Sequence, residues 1–291
     1  MTGFLDAPAV ALERLDARFA VLGVPQGIPY PGRSSSGGAA GAPQAIRARS
    51  ARYGRMLAHY DFDLGRAPGA LPLADCGDVP AASASAAVRA ILQAGAMPIV
   101  LGGDDSTTAL ALRGFEAQGP LHILQIDAHI DYRDEVDGVR DGYSSPMRRA
   151  AEMPWVARIV HCGTRGVGSA RPQDVNDTRA RGNAIVTARE LRREGVERVL
   201  AEFPPGGRYY IAFDCDGMDP AVMPGTSAPL PGGLSFDEAA ALLTGLARRG
   251  SVAGINFAEH YPSLDVNGIT ALAITRLVVN LLGTIHHEPR R

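Results

Sequence analysis

The sequence predicts an α/β fold with a central parallel sheet, formed by a single domain over residues 1–291. Short apolar segments alternate with helical segments along most of the chain, which is the element order of a parallel sheet. The apolar segments do not alternate between polar and apolar residues, as expected for strands that are covered on both faces. We find no internal repeat and no linker, and the small-residue stretch at 34–42 is more typical of an active-site loop than of a domain boundary.

Strands are predicted from apolar runs that end at charged or glycine-containing sequence, and helices from amphipathic runs with recognisable ends. Pro43 suits the first turn of the first helix, and Ser235 with Glu238 forms a capping-box pattern at the start of a later one. The predicted strands are Ala20–Val24, Pro98–Leu101, Leu121–Ile126, Arg158–Cys162, Tyr209–Phe213 and Val252–Phe257. The predicted helices are Ala42–Arg55, Ala84–Gly95, Ala188–Phe203, Ser235–Arg249 and Ile269–Leu282.

The composition argues against several classes of protein. The chain carries 29 Lys and Arg against 31 Asp and Glu, so its net charge of -2 provides no field for nucleic acid or an anionic membrane. No stretch approaches the roughly 20 unbroken apolar residues that a bilayer crossing needs. The N-terminal segment has Asp6, Glu13 and Asp16 where a signal peptide needs a basic start. We therefore expect a cytoplasmic protein without nucleic-acid or membrane partners.

Acidic or histidine-containing segments follow four of the predicted strands. They are Asp104-Asp105, Asp127–Asp131, Asp214–Asp216 and Glu259. Ligands bind at the carboxyl ends of strands in parallel α/β sheets, so we expect these segments to form one site. In an extended chain, Asp127, His129 and Asp131 would point to one face, and Asp214 and Asp216 would do the same, with Cys215 pointing away.

Converging carboxylates with one imidazole predict a site for divalent cations. Such oxygen and nitrogen ligands suit Mn²⁺, and less well Zn²⁺, Ni²⁺ or Fe²⁺. Two ions about 3.5 Å apart would activate a water molecule as a nucleophile. The alternative is that each Asp caps a helix or forms an Asx turn, which is the commoner role of a lone aspartate after a strand. Convergence of several such segments favours the metal site.

Several segments together resemble the ureohydrolase family, which includes the arginases and agmatinases. The matching segments lie at 34–47, 75–79, 101–106, 127–131, 213–235 and 257–265, and the long string FDCDGMDPAVMPGTSAPLPGGLS is specific by itself. The resemblance implies a three-layer α/β/α fold of the arginase type with a central parallel sheet. It also implies a binuclear Mn²⁺ centre, hydrolysis of guanidino compounds to urea and an amine, and a homo-oligomer, either a trimer or a hexamer.

Transferred position by position, the resemblance implies both metal ligands and a substrate-binding residue. The implied metal ligands are Asp127, His129, Asp131, Asp214 and Asp216. Glu259 matches the glutamate that the family places against the guanidinium group, where a carboxylate can accept paired N–H bonds from the planar cation. The alternative for Glu259 is a carboxylate that faces the N-terminus of a helix.

The chain departs from the family pattern at two positions. Asp105 stands where the pattern GGDHS has a histidine ligand; a carboxylate is also an Mn²⁺ ligand, so we include Asp105 in the predicted metal site. Tyr143 stands where the family has a histidine that exchanges protons or contacts substrate. A phenol with a pKa of about 10 donates a hydrogen bond but exchanges protons poorly at neutral pH.

Two functions are consistent with these residues. The first is a metal-dependent hydrolase of a linear C–N bond in a guanidino or related amidine compound. In it, Asp131 orients the attacking hydroxide, Glu259 holds the cationic head, and the amine is protonated through water or Tyr143. The loop at 132–143 shows no arginase-like signature, so agmatinase-like substrates such as guanidinoalkyl amines or acids are expected. The second is a metal-binding family member without ureohydrolase activity, such as a partner subunit or accessory protein.

Overall fold

A computed structural model describes residues 3–27, 30–31, 36–116, 118–168 and 170–288. The strands in this part of the chain are β1 (Phe19–Gly23), β2 (Leu73–Asp78), β3 (Met97–Leu101), β4 (Leu121–Ile126), β5 (Val156–Thr164), β6 (Ala184–Thr187), β7 (Arg208–Asp214) and β8 (Ser251–Ala258). They form one sheet in the order β2-β1-β3-β8-β7-β4-β5-β6, and every neighbouring pair is parallel. The predicted parallel sheet is confirmed.

The helices of the described residues lie between these strands in the chain. They are α1 (Ala42–Gly54), α2 (Ala81–Gln93), α3 (Ser106–Arg113), α4 (Pro146–Ala151), α5 (Pro172–Ala180), α6 (Ala188–Glu194), α7 (Glu197–Leu200), α8 (Phe236–Arg249) and α9 (Ile269–His287). The capping box predicted at Ser235 is present, because its side chain accepts the Glu238 N–H and the Glu238 carboxylate accepts the Ser235 N–H. Pro43 lies in the first turn of α1, as predicted.

Helices cover both faces of the sheet, so the predicted three-layer α/β/α architecture is confirmed. Helices α1, α6, α7, α8 and α9 contribute to the core on one face, and α2, α3 and α4 to the core on the other. Neighbouring strand residues enter opposite cores: Val21 and Leu101 face one, and Leu22 and Val100 face the other. This two-sided burial explains why the strands are uniformly apolar.

Three predicted features need correction. The helix predicted at Ala188–Phe203 is two helices, because Gly195 at the end of α6 has a left-handed φ of 79° that redirects the chain. Strands β2 and β6 were not predicted, since β2 carries two aspartates in LADCGD and β6 has only four residues. The last helix was predicted to end at Leu282, but α9 continues through His286 and His287, which form its last turn.

Helix α9 is a core helix, although it is long and apolar enough to cross a membrane by length and composition alone. The apolar window of this segment is 72% buried. Residues such as Ile274, Leu277 and Leu281 are fully enclosed in the core that α9 shares with α1 and α8. Burial within the fold, rather than a bilayer, therefore accounts for its apolar sequence.

The topology explains why the chemistry-bearing segments meet. Strands β3, β8, β7 and β4 are consecutive neighbours at the centre of the sheet. The segments that follow them carry Asp104 and Asp105, Glu259, Asp214 to Asp216, and Asp127 to Asp131, in that order across the sheet. Because parallel strands end at the same edge, four distant parts of the sequence converge at one place.

Candidate metal centre

Two groups of possible cation ligands lie at this edge of the sheet, and they share Asp127. The first group consists of Asp127, His129 and Asp216; the second consists of Asp105, Asp127, Asp131 and Asp214. Within each group the ligand atoms lie within 4.8 Å of one another. The structure thus brings together all six residues that the sequence analysis predicted as metal ligands. The six residues form two groups that have the Asp127 carboxylate in common.

The conformation of these segments differs from the extended one that the spacing predicted. Strand β4 ends at Ile126, and the Asp127 carboxylate then accepts the N–H of His129 at 2.6 Å. In the same way, Asp214 accepts the N–H of Asp216 at 2.8 Å, at the start of a short 3-10 helix. Both aspartates therefore form Asx turns, which was the alternative interpretation. Each turn bond uses Oδ1 and also points the carboxylate toward its neighbours, so the two interpretations are compatible.

Asp131 and Glu259 have backbone conformations that are rare for residues with a side chain. Their φ angles are 43° and 59°, in the left-handed region. Such conformations cost free energy and are concentrated at functional sites, where the surrounding structure enforces them. Both residues were predicted to act on substrate or solvent, and the strain indicates that their orientation is under structural constraint.

Asp105 lies at the N-cap position of α3 and is 3% exposed. Its carboxyl group accepts a hydrogen bond from the Thr108 hydroxyl, which in turn accepts one from Asn256 at 2.6 Å. It also contacts the Asp131 carboxyl group. A buried carboxyl group in contact with a half-buried one needs a shared proton or a cation between them, so the placement of Asp105 fits a ligand role.

The electrostatics of the cluster favour bound positive charge. Burial, followed by the charges of neighbouring carboxylates, raises the pKa values of Asp131 and Asp214 well above their ordinary range and that of Asp127 to about 7. Burial opposes a charged His129, but hydrogen bonds to Asp127 and Asp216 outweigh it and raise the pKa of His129 to about 12. The raised pKa values of the carboxyl groups and the raised pKa of His129 both show that the cluster favours added positive charge.

The donor set fits divalent metal ions, and the residues around it hold the donors in place. Carboxylate oxygens and one imidazole nitrogen are ligands for hard or borderline divalent cations. Gln125 donates to Asp127 Oδ2 at 2.6 Å, and the Ala128 N–H donates to Asp216 Oδ1 at 3.0 Å. His129 Nδ1 lies 3.2 Å from Asp127 Oδ1 and 3.1 Å from Asp216 Oδ2. Supporting bonds of this kind orient metal ligands.

Glu259 lies next to this cluster and is held by two partners. Its Oε1 accepts the N–H of Asp105 at 2.9 Å, and its carboxylate also hydrogen-bonds the Tyr261 hydroxyl. Because Asp105 occupies the N-cap position of α3 and donates its N–H to Glu259, Glu259 does face a helix N-terminus, as the alternative interpretation proposed. Burial, followed by the charge of Asp104, raises the pKa of Glu259 to about 8. A cationic ligand would relieve this repulsion, so the position also fits guanidinium binding.

Tyr143 lies in a loop that borders the cluster. Its ring packs against Tyr30, with 4.4 Å between the ring centroids, and the Tyr30 hydroxyl accepts the N–H of Ser144 at 2.9 Å. A few residues further on, the Met147 N–H donates to the Asp131 carbonyl oxygen at 3.2 Å. The structure thus places Tyr143 beside the Asp131 segment, and its part in proton transfer stays a prediction.

His260 follows Glu259 and is buried, and three residues that support the cluster were not predicted from the sequence. His260 is 1% exposed; its Nδ1 lies 3.4 Å from the Gly225 carbonyl oxygen and its Nε2 lies 3.7 Å from Asp265. It therefore connects two loops. Tyr261, which contacts Glu259, was missed, although its spacing of two residues from Glu259 was a usable signal. Gln125 lies only two residues before its partner Asp127, so its spacing was a usable signal as well. Arg165 gave no signal, since its partners are distant in sequence.

Comparisons with known proteins agree with this geometry. A family model described as Arginase family matches residues 17–283. A guanidinobutyrase of Pseudomonas aeruginosa is 33% identical over 99% of this chain and 91% of its own length. The mitochondrial agmatinase of Gallus gallus is 32% identical, over 93% of this chain and 81% of its own. The solved structure of proclavaminate amidino hydrolase from Streptomyces clavuligerus has a TM-score of 0.85 at 29% identity, covering 98% of this chain and 97% of that one. The chain therefore belongs to the arginase family.

Proposed function

We propose that this protein hydrolyses the C–N bond of a guanidino compound and releases urea and an amine. The observation that carries the proposal is the position of Glu259, a strained and buried carboxylate beside two groups of metal-ligand residues. The guanidinobutyrase and agmatinase relatives support a guanidinoalkyl acid or amine as the substrate. We propose Mn²⁺ as the native cation, because the donor set is rich in carboxylate oxygen.

The six proposed ligands would hold two divalent cations, with Asp127 shared between them. Cations bound there would activate water for attack and balance the charge of the carboxylates. Asp131 belongs to the second group and has a fixed, left-handed backbone, so it would accept a hydrogen bond from the attacking water and hold its lone pair toward the substrate. This alignment lowers the entropic part of the barrier.

Glu259 would bind the guanidinium group through paired N–H···O bonds. The Asp105 N–H and the Tyr261 hydroxyl already hydrogen-bond the carboxylate and hold it in place, and its remaining lone pairs would face the planar cation. Asp104 is buried nearby and adds negative charge to the same region. The pocket would therefore select a cationic head group and place its central carbon next to the cluster.

The departing amine needs a proton, and Tyr143 is the proposed donor on the bordering loop. A phenol is a weak acid at neutral pH, so this step would be slower than with an imidazole. The Tyr30 ring fixes one face of Tyr143, which limits the positions its hydroxyl can adopt.

A urea-release assay tests the proposed function. The protein is loaded with Mn²⁺ and offered agmatine, 4-guanidinobutyrate, 3-guanidinopropionate and arginine. We expect urea from at least one guanidinoalkyl amine or acid, in preference to arginine. Glu259→Gln keeps the shape but removes the charge, and loss of one charge-assisted interaction should lower kcat/KM by about ten- to a hundred-fold. Equal activity of Glu259→Gln and the parent would contradict the role of Glu259.

A second candidate is a metal-binding family member without ureohydrolase activity. Asp105 and Tyr143 favour it, because both replace imidazoles of the family pattern. The same experiment separates the two candidates. Two bound Mn²⁺ ions without urea release from any substrate would support the second candidate.

We also propose that the chain forms a homo-oligomer, which light scattering of the purified protein would measure.

A further inference from the structure

Arg165 reaches the proposed metal centre from a strand that supplies none of its ligands. It follows β5, which ends at Thr164. In the sheet, β5 lies beside β4, and β4 lies beside β7. The Arg165 side chain therefore starts next to the segment that carries Asp127 and His129, and it extends toward the segment that carries Asp216.

Within the described residues, the Arg165 guanidinium group makes at least six hydrogen bonds to main-chain carbonyl oxygens. Its Nη2 donates to Asp216 and Leu230 at 2.6 Å each and to Met218 at 3.1 Å. Its Nη1 donates to Gly163 and Gly217 at 3.1 Å, and its Nε donates to Leu230 at 3.1 Å. The Arg165 main-chain N–H donates to the Ala128 carbonyl oxygen at 3.1 Å. One residue thus ties the loops after β4 and β7 to the end of β5.

These loops touch each other closely, so small shifts would separate their ligands. A Cβ atom at Gly217 would lie only 2.6 Å from the Asp127 nitrogen, which shows how near the two backbones are. The Ala128 N–H also donates to Asp216 Oδ1. The six Arg165 bonds go to carbonyl groups and use no carboxylate oxygen of Asp216. Arg165 therefore leaves the carboxylate oxygens of Asp216 to the Ala128 N–H, to His129 and to a cation.

We propose that Arg165 is the positioning residue of one cation subsite, the one formed by Asp127, His129 and Asp216; this rests on the proposed metal centre. The other subsite shares Asp127 but depends less on Arg165, because its other three members have separate supports. Asp105 accepts a bond from Thr108 in α3, the Asp131 carbonyl oxygen accepts the Met147 N–H, and Asp214 is the last residue of β7. A planar, forked guanidinium is required, since lysine has a single nitrogen that cannot reach carbonyls on several sides at once.

Metal binding, rather than activity, tests this role. The full chain is stripped with a chelator and titrated with Mn²⁺, with bound metal measured by elemental analysis and paired Mn²⁺ by electron paramagnetic resonance. The parent should bind about two equivalents and show the signal of a coupled pair. In Arg165→Met, the affinity for one Mn²⁺ equivalent should fall by about 10–100-fold, and the signal of the coupled pair should be lost. The affinity for the other equivalent should not change. Arg165→Lys should show an intermediate loss of affinity for that equivalent. If Arg165→Met does not fold, Arg165→Lys is the variant that tests the proposal.

Arg249→Met is the matched control. Arg249 also donates from Nε to a carbonyl oxygen, that of Phe203 at 2.7 Å, at the C-terminus of α8 rather than at the ligand loops. The Arg249→Met substitution should lower the stability of the protein but leave both Mn²⁺ equivalents bound. The proposal would be overturned if folded Arg165→Lys and Arg165→Met both bind two Mn²⁺ equivalents with the affinity of the parent. It would also be overturned if the affinities of both subsites fall equally. A parent protein that binds two Mn²⁺ ions but releases no urea would contradict only the proposed hydrolase, not the role of Arg165.

Discussion

At the scale of single residues, Asp105 distinguishes the two proposed subsites. The group that contains Asp105 offers four carboxylates and no imidazole, whereas the other group contains His129. Carboxylate oxygens suit Mn²⁺, and imidazole nitrogen suits Zn²⁺. The five aspartates also place five negative charges against the four positive charges of two divalent ions. Asp105 should therefore favour a hard cation and bind it tightly, while the bound water is acidified less.

Asp105→His should shift the metal preference of the protein toward Zn²⁺. Both proteins are dialysed against equal concentrations of Mn²⁺ and Zn²⁺, and their metal contents are compared. The Zn²⁺ to Mn²⁺ ratio should rise in Asp105→His, because the substitution adds an imidazole ligand. Asp105→Asn, which keeps an oxygen donor but loses the charge, should lower total metal without this shift. An unchanged ratio, or a metal-bound structure with Asp105 more than about 3 Å from every ion, would count against ligation by Asp105.

Tyr143→His should raise urea release at neutral pH. An imidazole titrates near neutrality and a phenol does not, and acid–base assistance is commonly worth about 10²–10⁴-fold. Turnover by the unmodified protein should accordingly increase toward alkaline pH. Tyr143→Phe, which keeps the ring packed on Tyr30 but removes the hydroxyl, should not raise activity. Rapid hydrolysis of agmatine or arginine by the unmodified protein at pH 7 would show that this position does not limit the reaction.

At the scale of elements, the site depends on loops that are packed backbone to backbone. Gly217 allows the loop after β7 to approach the loop after β4, and Gly163 adopts a left-handed φ of 101° at the end of β5. A Cβ atom at Gly163 would lie 3.0 Å from the Asp127 carbonyl oxygen. The ends of three neighbouring strands are therefore close enough for one arginine to join them.

Gly217→Ala should both destabilise the protein and weaken metal binding. The added methyl group would meet the Asp127 nitrogen and the Ile126 carbonyl carbon at under 3 Å, so the two loops must move apart. Overpacking of this kind costs about 1–3 kcal/mol. Gly41→Ala is a suitable control, because its added Cβ would meet only Pro262, at an ordinary 3.5 Å. Thermal unfolding and Mn²⁺ titration check the prediction, and a Gly217→Ala protein with parental metal affinity would argue against tight coupling of the loops.

At the scale of the whole molecule, the pH dependence of stability should reflect a buried neutral histidine. His161 is fully buried in β5, hydrogen-bonded to Gln125, and burial lowers its pKa from 6.5 to about 3. The unfolded chain takes up this proton as the pH falls below 6.5, but the folded protein does not until about pH 3. The stability associated with His161 is therefore present above pH 6.5 and is lost progressively as the pH falls toward 3.

His161→Gln should make stability less dependent on pH in this window. Denaturant midpoints are measured for both proteins between about pH 6.5 and pH 4, after chelation so that metal release does not contribute. The parent should lose more stability than His161→Gln as the pH falls. Parallel pH profiles for the two proteins would show that His161 does not remain neutral in the folded state.

The sequence alone determined the parallel α/β class and the six residues of the cation cluster. Buried strands are recognisable as continuous apolar runs, and parallel strand ends must share one edge of a sheet. The sequence could not separate an Asx turn from a ligand at Asp127 and Asp214, because one carboxylate oxygen serves the turn while the side chain also faces the cluster. Only the tertiary structure decided which strands are neighbours. That order brought Arg165 to the site, since its partners Asp216, Met218 and Leu230 lie in another loop and depend on packing rather than on spacing along the chain.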